Sequence, residues 1–439
     1  MGKGILLYSP HLSERLIYSA RFILEELLSL DLSFTSTIDK VNSFPGPVIN
    51  YSKTDINSTI KIVPAGLLEE TGIRKQQVSI GSWRYVPAIF ITSHSGAINF
   101  DIFSATFYFL CRYEEYLWFS HDSHGRFPAN ISLAFRNGFL EIPVVNLWAN
   151  KLGDLLNENY KNLNINKKSF TWQSTIDVDT AWAILNRNLI QTAGGLIKSL
   201  ISEDDFLTRI RVLKGKEEDP YYTFDFLKRL HSDDPGKLMF FFLSGKPGGL
   251  DRNVSPENKN WQELVKKLSE EYKIGLHPSY KSKMDLNILR KEYKMLSSII
   301  SKPVTHSRQH FLLLRFPDTY RNLIDTGIEN DYSMGFADHT GFRAGTCTPF
   351  YFYDLEKEHV TGLKIWPFMM MDRTLMKYMG LNQEESRRKI TALIDTVVQS
   401  GGTFISLWHN DTLSNYRDMG GWREVYAEMV NYLNVKRDT

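Results

Sequence analysis

Trp172-Gln-Ser-Thr-Ile-Asp-Val-Asp-Thr180 is the stretch from which the fold of this chain is read. Its apolar and β-branched residues from Phe170 to Ile176 predict a strand. Two carboxylates, Asp177 and Asp179, stand two residues apart at the strand's C-terminal end. Side chains i and i+2 share one face of a strand. In βα architectures that end is the mouth, where catalytic groups collect. Both acids would enter one small volume and repel unless a cation or a proton lies between them. A metal site is the simplest resolution. An aspartate before a helix is also a common N-cap, and Asp179 in that role would cap a helix opening at Thr180.

Outward from this strand the chain alternates strand and helix patterns. Further strands are predicted at Leu238 to Leu243, Lys273 to Leu276, Val304 to His310, Asp331 to Phe336, Leu363 to Met371 and Thr403 to Trp408. Helix patterns fill the gaps at Thr180 to Ile201, Tyr222 to Leu230, Asn260 to Glu271, Met284 to Ile300, Pro317 to Thr326, Gln383 to Gln399 and Gly421 to Leu433. Repeated βα units imply a parallel sheet covered by helices, either a closed barrel or a doubly wound sheet. Before them lies a mixture of short strands and amphipathic helices that predicts a smaller α/β domain. The polar stretch Asn157 to Lys168 marks the boundary, giving domains 1–165 and 166–439.

Three more segments put chemistry at strand ends. In Ile274-Gly-Leu-His-Pro, His277 ends a strand before a proline. In Val304-Thr-His-Ser-Arg-Gln-His310, alternation puts His306, Arg308 and His310 on one face. A buried strand tolerates such groups only beside anionic partners, which Asp177 and Asp179 would supply. His409 closes the apolar run Phe404 to Trp408, followed by Asn410 and Asp411. Each of these histidines alone has an ordinary reading as a hydrogen-bonded structural residue. Their shared placement at one end of the strands is what points to a site.

Composition excludes several classes. With 42% hydrophobic and 23% charged residues the chain is neither disordered nor fibrous. A net charge of +2 without a basic stripe predicts no nucleic-acid partner. Two distant cysteines, Cys111 and Cys347, exclude a disulfide framework and a cysteine zinc site. The apolar run near Met1 is too short for a signal segment, and no stretch nears the roughly 18 apolar residues of a membrane span. A cytoplasmic location is therefore expected.

In order, Thr175 to Asp179, Gly275 to His277, Arg308, and Leu407 to His409 resemble the motifs of the polysaccharide deacetylase (NodB-homology) family, over roughly Phe170 to Leu433. The wording of GLHPSY, SRQH, GFRAGTC and LWHND resembles a bacterial subgroup with its own N-terminal α/β domain. The resemblance implies a distorted (β/α)7 barrel and a metal-dependent hydrolase that removes an N-acyl group, typically acetyl, from an amino sugar in a glycan or glycan precursor. It implies Asp177 as catalytic base, Asp179 and His277 as metal ligands, Arg308 as the residue orienting the base, and His409 as proton donor. The family usually has a second metal histidine four residues after the first. Here Lys281 stands there, and His310 is the candidate replacement, with His409 the second choice. Two nitrogens and one oxygen suit one zinc ion, with cobalt or nickel also fitting. Tyr280, Phe311, Tyr332, Trp366 and Trp408 are candidates to stack on sugar, and Asp372 to accept sugar hydroxyls or cap a helix. The loop Gly341 to Cys347 is a candidate source of an oxyanion-binding N–H. Two rival readings stand beside this one: a glycan-binding module that has lost its metal, as Lys281 suggests, and a deformylase or amidase acting on a non-polymeric substrate.

Overall fold

The computed structural model describes residues 4–92, 97–160, 163, 165–187 and 203–437. It divides into two compact units. Unit 1 comprises Met1–Thr171, Gly341–Met369 and Asp395–Phe404, and unit 2 comprises Trp172–Thr340, Met370–Ile394 and Ile405–Thr439.

In unit 1, β1 (Gly4–Tyr8), β2 (Asp31–Thr35), β3 (Val48–Tyr51) and β4 (Ile60–Ile62) form a parallel sheet in the order β2-β1-β3-β4. Ile5, Leu6 and Leu7 are all buried, as expected for a central parallel strand covered on both faces. A small antiparallel hairpin, β5 (Ile80–Trp83) with β6 (Val86–Ile89), follows. The helix Ile102–Leu110 is apolar around most of its circumference and buried along its whole length. Asp101 starts it by accepting the Ser104 N–H at 3.0 Å, and also accepts the Tyr51 hydroxyl at 2.8 Å.

The strands of unit 2 open with β7 (Phe170–Val178), β8 (Leu238–Leu243), β9 (Lys273–His277), β10 (His306–Ser307) and β11 (Asn330–Asp331). In unit 1, β12 (Phe350–Asp354) and β13 (His359–Ile365) form an antiparallel hairpin. β14 (Met370–Met371) and β15 (Gly402–His409) complete the strands. Seven neighbouring strands run in the order β11-β10-β9-β8-β7-β15-β14, with parallel ladders from β11 through β7 and between β15 and β14. All six residues of β8 are buried, which explains its unbroken apolar run. Helices at Lys259–Ser269, Leu286–Ile300, Asp318–Thr326, Gln383–Ser400 and Trp422–Arg437 fall within a few residues of the predicted ones.

Several expectations change, among them the strand expected at Asp331 to Phe336, of which only Asp331 lies in β11. The sheet is not closed: among the described residues no ladder joins its two ends, and β10, β11 and β14 are only two residues each. Leu363 to Met371 is not one strand: β13 ends at Ile365 and β14 begins at Met370, with Pro367, which has no N–H to give a ladder, between them. The helix predicted over Thr180 to Ile201 lies outside the described residues from 188 onward, and 180–187 is turn and irregular chain. Asp179 is therefore not the cap of a helix opening at Thr180. No helix among the described residues is long and apolar enough to cross a membrane.

Candidate metal centre

β9 is buried from Ile274 to His277, and Pro278 ends it, leaving the His277 imidazole at the strand's C-terminal end. Its Nδ1 lies 2.6 Å from the carbonyl oxygen of Arg308. A carbonyl accepts only, so Nδ1 carries the proton. Nε2 faces the two β7 carboxylates, 3.3 Å from Asp179 Oδ1 and 3.7 Å from Asp177 Oδ2. His310 repeats the arrangement: Nδ1 is 3.0 Å from Asp251 Oδ1, and Nε2 is 3.8 Å from Asp179 Oδ1. Donor atoms of Asp179, His277 and His310 all lie within 4.8 Å of one another.

These residues fit a cation. Asp179 Oδ1 is buried and makes no hydrogen bond, although two imidazole Nε2 atoms approach it. An unsatisfied buried oxygen is costly, and a metal ion bound by all three groups would satisfy it. The electrostatics agree. Burial pushes the Asp179 carboxyl up, but His310, His277 and His409 outweigh it and hold the pKa well below the ordinary carboxylate range. Burial pulls the His277 imidazole down, but Asp177 and Asp179 carry it above its usual value. Both shifts describe a volume that favours positive charge.

On one side of this cluster Asp177 Oδ1 accepts from Arg308 Nη1 at 2.9 Å, with both side chains buried. Arg308 is fixed further by its Nε donating to the Tyr332 carbonyl at 2.9 Å, and by the Phe241 ring 4.6 Å from its guanidinium carbon. On another side, His409 Nδ1 lies 2.7 Å from Asp372 Oδ1, and its backbone N–H donates to Asp372 Oδ2 at 2.8 Å. Its Nε2 faces Asp179 Oδ2 at 3.8 Å. Burial would lower the His409 pKa, but Asp372 and then Asp179 raise it to about 9.

All six candidates, Asp177, Asp179, His277, Arg308, His310 and His409, thus come together within unit 2. The alternation used to align His306 with them does not hold, since β10 stops at Ser307 and the chain turns at His310–Leu312. His306 instead bonds the Thr305 hydroxyl at 2.9 Å, and burial lowers its pKa to about 4. Lys281 is exposed and its Nζ approaches Gly248, and it is not among the residues whose donor atoms converge. Among the proposed stacking residues, Trp408 and Tyr332 are core, and Trp366 belongs to unit 1. Half-buried Tyr280 and Phe311 meet edge to face at 5.3 Å, and the Phe311 ring lies 4.5 Å from that of His310. Asp372 is fully buried on His409, so it does not offer itself to sugar hydroxyls. The Gly341–Cys347 loop lies in unit 1, and its N–H groups at Gly341, Phe342, Gly345 and Cys347 are bound to Met369, Leu140, Phe342 and Asn146. Asp251 escaped the sequence reading. It sits in a loop without periodicity, and its only signal is the Gly248-Gly249 pair just after β8.

Residues 5–161 match the model of a family of unknown function, DUF7033. No curated protein matches the chain. Three solved structures similar to the chain are those of a Mycobacterium smegmatis protein assigned as a polysaccharide deacetylase, the allantoinase Puue, and the Bacillus cereus polysaccharide deacetylase Bc1974. The first is 12% identical over 61% of this chain and 84% of that one, with a TM-score of 0.41. The second is 9% identical over 61% and 85%, with a TM-score of 0.39. The third is 14% identical over 62% and 89%, with a TM-score of 0.30. They are distant likenesses.

Proposed function

We propose that unit 2 is a metal-dependent hydrolase that removes an N-acyl group, in the first instance acetyl, from an amino sugar in a glycan or glycan precursor. The observation that carries this reading is the convergence of one carboxylate and two imidazoles, Asp179, His277 and His310, beside a buried Asp177–Arg308 pair and a buried His409–Asp372 pair. Zinc is the favoured ion for a mixed nitrogen and oxygen set, with cobalt and nickel close behind. When bound, such an ion polarises the amide carbonyl and makes water acidic enough to attack at neutral pH.

The chain's own groups supply the rest. Asp177 takes the proton of the attacking water, and Arg308 orients that carboxylate. His409, protonated on both nitrogens, donates from Nε2 to the departing amine while Asp372 holds the other nitrogen. Without that proton an amide nitrogen is a very poor leaving group. Tyr280 and Phe311 offer ring surface beside His310 against which a sugar would pack.

The test is elemental mass spectrometry of the purified protein, with His277→Ala beside it, followed by acetate release from N-acetylated oligosaccharides and from small formamides. About one divalent ion per chain, lost in the variant, together with acetate release, is the expected result. A protein that takes up no zinc sinks the reading. Turnover of formamides alone would replace the sugar substrate with a non-polymeric amide. In Asp177→Asn the metal should remain while kcat falls roughly 10²–10⁴-fold, the usual worth of a general base.

A further inference from the structure

His310 lies outside the regular strand that would fix its direction. β10 ends at Ser307, and the turn after it places Phe311 and Leu312 at φ 59° and 55°. The orientation of the imidazole is therefore decided by what binds it, and that is Asp251 Oδ1, 3.0 Å from Nδ1. The loop after β8 is shaped to bring Asp251 there. Gly248 and Gly249 adopt φ 146° and 66°, conformations that suit glycine. Backbone bonds of 2.8 and 3.3 Å join Gly248 to Asp251, and the Asn253 amide donates to the Leu243 and Gly245 carbonyls at 3.2 and 2.6 Å.

Asp251 is a carboxylate with few compensations. Its side chain is fully buried; Oδ1 also accepts the Tyr280 N–H at 2.8 Å, and Oδ2 has no hydrogen-bond partner. Among the described residues no lysine or arginine lies within ion-pair distance of it, whereas Asp177 has Arg308 and Asp411 has Arg373. Among the described residues its one ion-pair partner is the His310 ring, whose other nitrogen faces Asp179.

We propose that Asp251 is a positioning residue for the metal: by accepting the Nδ1–H of His310 it holds Nε2 toward Asp179. A carboxylate on the far nitrogen of a ligating imidazole fixes its tautomer and strengthens it as a donor. The loop carrying Asp251 thereby does through His310 what the exposed Lys281, whose amine points to Gly248 of the same loop, does not do. This inference rests on the metal-dependent reading above.

Zinc affinity, measured by competition with a chromophoric chelator, tests it in the wild type, Asp251→Asn, His310→Ala and the double variant, with the melting temperature of each metal-free protein taken alongside. Asp251→Asn is expected to weaken zinc binding roughly 10–100-fold, with the metal-free melting temperature near that of the wild type. The double variant should bind no more weakly than His310→Ala alone, because Asp251 acts through His310. Wild-type affinity in Asp251→Asn, or a full additional loss in the His310→Ala background, overturns the inference. Should Asp251→Asn fail to fold, ¹⁵N-histidine NMR of the zinc-loaded wild type decides: Nε2 bound and Nδ1 protonated at His310 supports it, and Nδ1 coordination overturns it. A wild-type protein that takes up no zinc brings down the functional reading as well, whereas a zinc-binding wild type with an unaffected Asp251→Asn brings down this inference alone.

Discussion

Held at Nδ1 by Asp372, His409 keeps its second proton to about pH 9 in the metal-free protein. As the proton donor it should sustain turnover through neutrality and lose it on the alkaline side. Asp372→Asn removes the charge that raises the His409 pKa, so the alkaline limb of the pH–rate profile should move toward neutrality as kcat falls; an unmoved limb would assign it to another group. The linked effect on stability has a definite sign. His409 is more basic folded than unfolded, so its contribution is complete below about pH 6.5 and is lost as pH rises to about 9. Glu292 loses stability in an earlier window. Burial raises its pKa to about 7, although it accepts from the Ser279 N–H and hydroxyl. Folding then favours the protonated acid, and stability declines from about pH 4.5 to about pH 7, by roughly 3 kcal/mol at most. Glu292→Gln should therefore melt higher than the wild type at pH 8 and differ little at pH 5, as thermal unfolding at the two pH values would report. At this scale the six site candidates were legible because five close or follow a strand pattern and His310 repeats the spacing of Arg308. The carboxylates behind them were not, since Asp251 lies in an aperiodic loop and Asp372 read as a cap or a sugar contact.

Among the elements, β8 and β9 explain why glycine precedes the leucine and histidine of Gly275-Leu-His277. A Cβ at position 275 would lie 2.4 Å from the Phe241 ring and 3.2 Å from the His306 carbonyl oxygen. Phe241 cannot easily yield, because its ring also lies against the Arg308 guanidinium. Gly275→Ala should cost about 1–3 kcal/mol through overpacking and disturb Arg308, and hence Asp177, at the same time. Urea unfolding of the metal-free variant checks the first effect; wild-type stability would mean that the ring moves freely. Long apolar strands such as β8 and β15 were readable almost to the residue, because burial on both faces writes an unbroken pattern. Val304 to His310 was overread. Its alternation resembles a strand, yet only His306 and Ser307 pair, since Arg308 and His310 are directed by side-chain and loop contacts that periodicity does not encode.

For the whole molecule, no sequence signal marks the recruitment of 341–369 and 395–404 into unit 1. Those contacts are made by single residues far apart in sequence. Within unit 1, Arg15 binds Glu358 through Nε and Nη2 at 2.9 and 2.5 Å, and Glu115 binds Arg343. The Asn146 amide donates to the Thr348 hydroxyl at 2.9 Å and to the Gly401 carbonyl at 3.0 Å. A chain beginning at residue 166 would leave Glu358, Arg343, Thr348 and Gly401 without these partners. It is expected to be poorly soluble or to unfold without cooperativity, and a soluble truncation with a sharp melting transition and intact zinc binding would refute this. The same interleaving bears on biosynthesis. When the first 171 residues have been made, Glu358, Arg343, Thr348 and Gly401 are still untranslated, which leaves Arg15 with the Leu67 and Gly72 carbonyls and Glu115 with Arg112. At roughly 5–20 residues per second that wait is on the order of tens of seconds, during which none of the pairs to residues 343–401 can form.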